Sequence, residues 1–268
     1  MKNYKWDAQE YEKHSQGQQK WARELIEKIS LKGAENVLDL GCGAGKVTAE
    51  ISKLVSKGSI IGVDNSAGMI NLATDKYTSA KYPNLSFQEM DAGNLKFNDR
   101  FDLIFSNAVL HWVKDQKPVI KGMFKSLKKG GRVLIQMGGK GNAAAIVEVL
   151  SELRAEKRWH SYFNRFSFPF YFPGINEYEA LLIDCGFKLN RIELIPKKKD
   201  HLGIESLKGW IRTTWLPYTQ RVPEKEREKF IDIVSKKYIE RYSANSESII
   251  NVQMVRLEVE AEKNNSAN

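Results

Sequence analysis

With 268 residues, 42% hydrophobic and 28% charged, the chain has the composition of a globular protein with one large core, or a core with an inserted cap. No apolar run approaches the ~20 residues of a membrane-spanning helix, and Met1-Lys2-Asn3-Tyr4-Lys5-Trp6-Asp7 lacks the apolar centre of a signal peptide. No membrane partner and a cytoplasmic location are therefore expected. The net charge of +9 admits nucleic acid or an acidic small molecule as partner. Its lysines are dispersed, however, and Lys128-Lys129 and Lys197-Lys198-Lys199 fall at element ends, so no nucleic-acid partner is expected.

Trp6 to Ile29 is amphipathic. Trp21, Leu25 and Ile29 form a core stripe; Tyr11, Ser15, Gln18 and Ala22 form a second, more polar one. That second stripe reads as a solvated face or as a lid over a ligand. After Gly33, Val37 to Leu40 reads as a buried parallel strand that breaks into Gly41-Cys42-Gly43-Ala44-Gly45 and resumes as a helix from Lys46. Strand, glycine turn and helix make a nucleotide-cofactor site, since glycines admit the tight turn and helix N-termini offer unpaired N–H groups. A phosphate-cradling P-loop wants glycine where Leu40 stands, and a dinucleotide fingerprint wants a small residue where Lys46 stands. What remains is a turn led by a carboxylate, Asp39, which suits an ammonium group or a water and not a phosphate. With only Cys42 and Cys185, no disulfide is expected.

Ser59 to Val63 is a second apolar run and ends in Asp64, at the distance where a ribose-binding acid is expected. Asp64 also suits the N-cap of the next helix, a role that Asn65 or Ser66 fills equally well. That helix runs past Met69 to about Ala80. Leu85 to Met90 is a third strand ending in Asp91-Ala92, with Asp91 placed to accept from an adenine amino group. Gly93 to Asp99 is a loop, and Phe101 to Asn107 a fourth strand ending in Ser106-Asn107. A short apolar turn, Ala108 to Val113, precedes a helix over Pro118 to Leu127, and Lys129-Gly130-Gly131 turns into a strand over Arg132 to Met137. Successive strand–helix units predict a parallel sheet with right-handed crossovers.

The pattern changes at Gly138. A helix from Ala143 to about Lys157 leads into a stretch dense in aromatics, Trp159 to Phe172, which reads as a packed cap or a substrate wall. Asn176 to Cys185 is a helix and Phe187 to Ile195 a strand, followed by a lysine-rich turn. Leu207 to Leu216 and Pro223 to Tyr242 read as helical, and Val255 to Ala261 alternates as a half-buried edge strand.

The Asp39–Gly45 turn, Asp64, Asp91 and Ser106-Asn107 resemble the motifs of class I S-adenosylmethionine (SAM) methyltransferases. Asn107 to Val113 is similar to the matching segment of the trans-aconitate methyltransferases and the juvenile hormone acid methyltransferases, both of which methylate carboxylates. Gly209-Trp210-Ile211 and Pro223 to Arg227 resemble the former. Thr213 to Tyr218 and Gly138 to Gly141 depart from it.

The resemblance implies an α/β fold: a doubly wound, Rossmann-like, seven-stranded and mostly parallel sheet with a helical cap and an antiparallel edge strand. It implies a SAM-binding core over 1–137 with an N-terminal lid helix, a cap over 138–175 and 200–245, and a return to the sheet over 176–199 and 246–262. SAM would be bound by Tyr11, Ser15, Asp39, Gly41, Cys42, Gly43, Asp64, Asn65, Met69, Asp91, Ala92 and Asn107. Gln18 and Trp112 would hold the carboxylate of a small acidic substrate. His111 is either a base or a structural histidine. No metal is expected, and the enzyme is expected to be a monomer. The alternatives are a methyltransferase acting on a phenol, amine or carbon, for which His111 would be essential; an RNA methyltransferase; and a non-catalytic SAM- or NAD-binding protein.

Overall fold

Consecutive apolar residues in a strand point to opposite faces, so an unbroken apolar run is stable only where both faces are covered. A computed structural model describes residues 16–242 and 249–264, with side chains from Trp21 onward, and shows this arrangement. Val37, Ile60, Leu103 and Leu134 pack on one face of a sheet with Ala22, Leu25, Ala49 and Ile51. Their neighbours Leu38, Ile61, Ile104 and Val133 pack on the other with Val119, Ile120, Met123, Tyr178 and Leu182.

The strands are β1 (Asn36–Leu40), β2 (Ser59–Asp64), β3 (Leu85–Glu89), β4 (Phe101–Asn107), β5 (Leu127–Gly138), β6 (Phe187–Leu202) and β7 (Ile249–Lys263). Helices α1 (Gln16–Ile26), α2 (Lys46–Leu54), α3 (Ala67–Lys76), α4 (Gln116–Ser126), α5 (Ala144–Ala155) and α6 (Ile175–Asp184) precede β6. Between β6 and β7 come α7 (Gly203–Thr214), α8 (Leu216–Thr219) and α9 (Glu224–Tyr242).

The seven strands are ordered β3-β2-β1-β4-β5-β7-β6. From β3 to β5 all neighbours are parallel, and β7 is antiparallel to β5. The chain winds outward from β1 to β3, then restarts at β4 on the other side of β1. That reversal opens a crevice at the carboxyl ends of β1 and β4, where ligands of such sheets bind.

The chain divides into two compact units, with two of the boundaries inside β6 and β7 and others after Lys140 and Pro169. One holds Gln18–Lys140, Phe170–Ile195 and the chain from Arg256, and contains the crevice. The other holds Gly141–Pro169 and Pro196–Val255. In it, Trp159 packs edge-on against Phe230 at 5.1 Å, and Arg241 ties α9 to Glu148 and Glu152 of α5. The aromatic run is thus split: Trp159 and Phe163 are buried in the second unit, whereas Phe170 and Phe172 belong to the first.

The structure departs from the sequence pattern at β7 and β6. The last strand is not at the edge: β7 lies between β5 and β6, and β6 is outermost. Its alternating charges do not face water either, for Arg256 is 3% exposed and Glu258 fully buried. The lysine-rich segment after Ile195 is not a turn but the second half of β6. There Lys199 and His201 point inward and Lys198, Asp200 and Leu202 outward, a period of two that composition alone disguised.

Candidate active site

The glycine turn is tied to the neighbouring strand. The N–H groups of Gly41 and Cys42 both donate to the carbonyl of Val63, at 2.7 and 3.0 Å, and Gly45 N–H donates to Cys42 at 3.0 Å. Gly41, Gly43 and Gly45 all have positive φ, at 82°, 51° and 78°, where glycine alone is unstrained. They differ in surroundings. A Cβ on Gly41 would lie 2.2 Å from Val109, and one on Gly45 2.5 Å from the Phe87 ring. At Gly43 such an atom would meet nothing within 4 Å. The outer two glycines admit close packing; the middle one leaves open backbone for a ligand to approach.

Asp64 joins the first two strand ends. Its Oδ2 accepts from Gly43 N–H and its Oδ1 from Ser66 N–H, both at 3.0 Å. The helix cap is Ser66, whose hydroxyl accepts from Met69 N–H, so Asp64 is not used for that task. Each carboxylate oxygen has a further lone pair, enough to accept ribose hydroxyls. Burial raises the Asp64 pKa against the opposing pull of the Ser66 and Gly43 N–H groups. Asp39 is 2% exposed and accepts from the Thr48 hydroxyl at 2.7 Å. Burial lifts its pKa to about 7, opposed by the Thr48 hydrogen bond and reinforced by the charge of Asp64. Cys42 is buried beside this pair, and burial and the two acids raise its thiol pKa well above the usual value.

At the end of β3, Met90 N–H donates to the Asp64 carbonyl, and the exposed Asp91 accepts from Gly93 N–H at 2.7 Å while starting a 3₁₀ turn over Ala92–Asn94. At the end of β4, Ser106 is fully buried and donates to the Leu40 carbonyl at 2.8 Å, which fixes β4 against β1. Asn107 follows, then Ala108 with φ of 60°, a left-handed conformation at a non-glycine residue. Such strain concentrates at functional turns.

A second 3₁₀ turn, Leu110–Trp112, comes next. The Gln116 amide donates to the carbonyls of Leu110, at 2.8 Å, and Val113. His111 is 7% exposed, ringed by Trp112, Phe170 and Phe172 at 5.9, 6.1 and 5.8 Å. Its Nδ1 accepts from Gly138 N–H at 3.3 Å. Burial, aided by the charge of Arg256, pushes its pKa well below normal, so the ring is neutral. A neutral imidazole has one lone pair. Gly138 occupies it, and the proton therefore sits on Nε2.

Asp39, Gly41, Cys42, Gly43, Asp64, Asn65 and Met69 thus belong to the linked ends of β1 and β2 and the start of α3, with Asp91 and Ala92 joined to them through Met90. Asn107, His111 and Trp112 line the end of β4. Tyr11 and Ser15 lie outside the described residues, as does the side chain of Gln18, whose backbone is in the first turn of α1. Thr48, Val109 and Arg256 were not among the expected site residues. Thr48, nine residues after Asp39, was detectable as a hydroxyl in the first turn of α2.

The chain matches a methyltransferase domain family over residues 31–166, half of its 268 residues. Trans-aconitate 2-methyltransferase of Enterobacter sp. (strain 638) is 29% identical over 255 residues, covering 94% of this chain and 96% of that one. The YcgJ protein of Bacillus subtilis superposes with a TM-score of 0.63 at 19% identity, covering 92% of this chain and 99% of that one. Phosphoethanolamine N-methyltransferase 2 of Haemonchus contortus, solved with S-adenosylhomocysteine, has a TM-score of 0.62 at 18% identity, covering 96% of this chain and 57% of that one. The two structural likenesses concern the fold. The chain belongs to the methyltransferase domain family and is a SAM-dependent methyltransferase. The residues present fit that cofactor: backbone open to a ligand at Gly43, and the buried carboxyl groups of Asp39 and Asp64, which suit a cationic, hydroxyl-bearing molecule.

Proposed function

We propose that this methyltransferase esterifies a carboxylate oxygen of a small acidic molecule. SAM is held at the ends of β1 to β3, with Asp64 on its ribose, Asp91 toward its adenine and Asp39 acting on its ammonium group through the turn. Bound there, SAM would supply an electrophilic methyl group. Trp112 and Gln18 donate N–H groups to the acceptor carboxylate and aim one oxygen without protonating it. A carboxylate has a pKa of about 4 and arrives already ionised, so orientation and exclusion of water suffice.

The observation that carries this reading is the state of His111. The imidazole beside Trp112 is neutral, and its one lone pair is committed to Gly138. It is a poor base, which favours an acceptor that needs none. The relationship to trans-aconitate 2-methyltransferase, an enzyme named for a carboxylic acid, supports the same reading. Cys42 and Cys185 are free thiols, in keeping with a cytoplasmic enzyme.

Trp112→Phe and Gln18→Ala should each lower kcat/KM about 10- to 100-fold with little change in SAM affinity. The rate should stay flat with pH from neutral upward, and His111→Ala should remain active if it folds. A rate that climbs through a pKa near 6.5 and vanishes in a folded His111→Ala variant would favour a phenol or amine acceptor instead.

A further inference from the structure

A guanidinium lies inside the first unit at the ligand-binding end of the sheet. In the β5–β7 pairing, Arg256 stands opposite Gly138, and Glu258 opposite Gln136. Gln136 in turn pairs with Asn107, the last residue of β4. Arg256 is therefore two residues beyond the level of Asn107, at the rim where β4 and β5 end. Its guanidinium carbon sits 5.4 Å from the centre of the Trp21 ring on α1.

The direction of α1 follows from the same strand. Lys28, just past the C-terminus of α1, bonds Glu258, while Trp21 meets Arg256 nearer the rim. The helix therefore rises toward the ligand end as it runs back to its N-terminus, and Gln18 is one turn further along. Arg256, Trp21 and the turn carrying Gln18 succeed one another toward the crevice. A cation 3% exposed to solvent acts across a little-screened medium. The neutral His111, bonded to the same Gly138, feels its charge.

We infer that Arg256 is the specificity-determining residue for the acceptor: it holds an anionic group of the acceptor other than the oxygen that is methylated. This rests on the carboxylate reading above. The choice of a non-reacting group follows from charge. In the reaction, an O–C bond forms as the C–S bond breaks and its electron pair goes to sulfur; a carboxylate and a sulfonium become a neutral ester and a neutral thioether. A guanidinium on the reacting carboxylate would favour the charged ground state over the transition state and slow the step. On a second anion, its attraction is the same in both states and appears as binding alone. Arginine's planar fork suits such a group.

The test compares straight-chain acids of equal length bearing one or two carboxylates. Wild type should prefer the diacid through a lower KM. Arg256→Met should raise KM for the diacid roughly ten- to a hundredfold, with kcat and the monoacid constants within about twofold. Calorimetric SAM affinity should be unchanged, which certifies the fold. If Arg256→Met fails to bind SAM, Arg256→Lys takes its place: it keeps the charge, loses the fork, and should raise only the diacid KM, by several-fold. Equal losses for both acids, a fall in kcat alone, or a wild type indifferent to the second carboxylate would overturn the role of Arg256. A wild type that esterifies no acid at all would instead refute the carboxylate reading, and this role with it.

Discussion

Asp39 and Asp64 lie at the carboxyl ends of neighbouring strands, and burial raises the pKa of each. The folded pKa of Asp39, about 7, lies above its ordinary value of 3.8. Between those values the folded chain keeps a proton that the unfolded chain releases. That contribution to stability is complete below pH 3.8 and is lost as pH rises through about 7. Asp39→Asn, which cannot ionise, should lack this gradient. Between about pH 5 and pH 8 the melting temperature of wild type should fall relative to the variant; parallel curves would show that Asp39 is ionised throughout. A cationic ligand favours the ionised form, so calorimetry near pH 6 in buffers of different ionisation heat should detect proton release when SAM binds. Asp64→Ala should weaken SAM binding by about 2 kcal/mol or more, because charge-assisted bonds are lost together with the brace on Gly43 and Ser66. Unchanged affinity would remove Asp64 from the site. Both acids were legible as polar ends of apolar runs. The elevated pKa of Asp39 was not, since it depends on burial and on Asp64, 25 positions on.

The pairing of α1 with β7 shows where pattern reading stops. Val255 to Ala261 alternates in sequence, from which a half-buried strand is expected, yet Arg256 to Val259 are all buried. What covers the polar face is not local. Glu258 binds Lys28, Gln136 and Arg191, partners 67 to 230 residues distant in sequence. Burial acts to raise the Glu258 pKa, but Lys28, Arg191 and Gln136 outweigh it and hold the carboxyl below its usual value. Its contribution to stability is therefore present above the ordinary glutamate pKa and lost as pH falls through the lowered folded one. Glu258→Gln should destabilise the protein by about 2 kcal/mol in urea unfolding near neutral pH. That is less than the 3–5 kcal/mol typical when a buried pair is broken, because Lys28 and Arg191 keep some contact with water. An unchanged urea midpoint would mean that the cluster contributes no net stability. By contrast, β1, β2, β4 and the second half of β5 were legible from sequence because both of their faces are apolar. Their boundaries needed only glycine and polar punctuation.

For the molecule as a whole, the order β3-β2-β1-β4-β5 puts four polar strand ends along one edge, and that edge is what the sequence discloses best. The ends of β1, β2 and β4 are announced by a short apolar run followed by Gly, Asp or Asn, and that of β3 by Asp91 after a more polar strand. The second unit is disclosed less well. Its core is built from Trp159, Phe163, Tyr218 and Phe230, drawn from segments some 60 residues apart; density of aromatics signalled packing there but not which rings meet. Among the described residues no helix is long and apolar enough to cross a membrane. The expected product is a carboxylic ester, and that chemistry separates it from every N-, C- or phenol-directed alternative. The enzyme should be incubated with methyl-labelled SAM and a panel of small mono- and dicarboxylic acids, and the product treated briefly with mild alkali. The account predicts label transferred to an acid and released as volatile methanol by alkali; label that stays on the acceptor through alkaline treatment would contradict it.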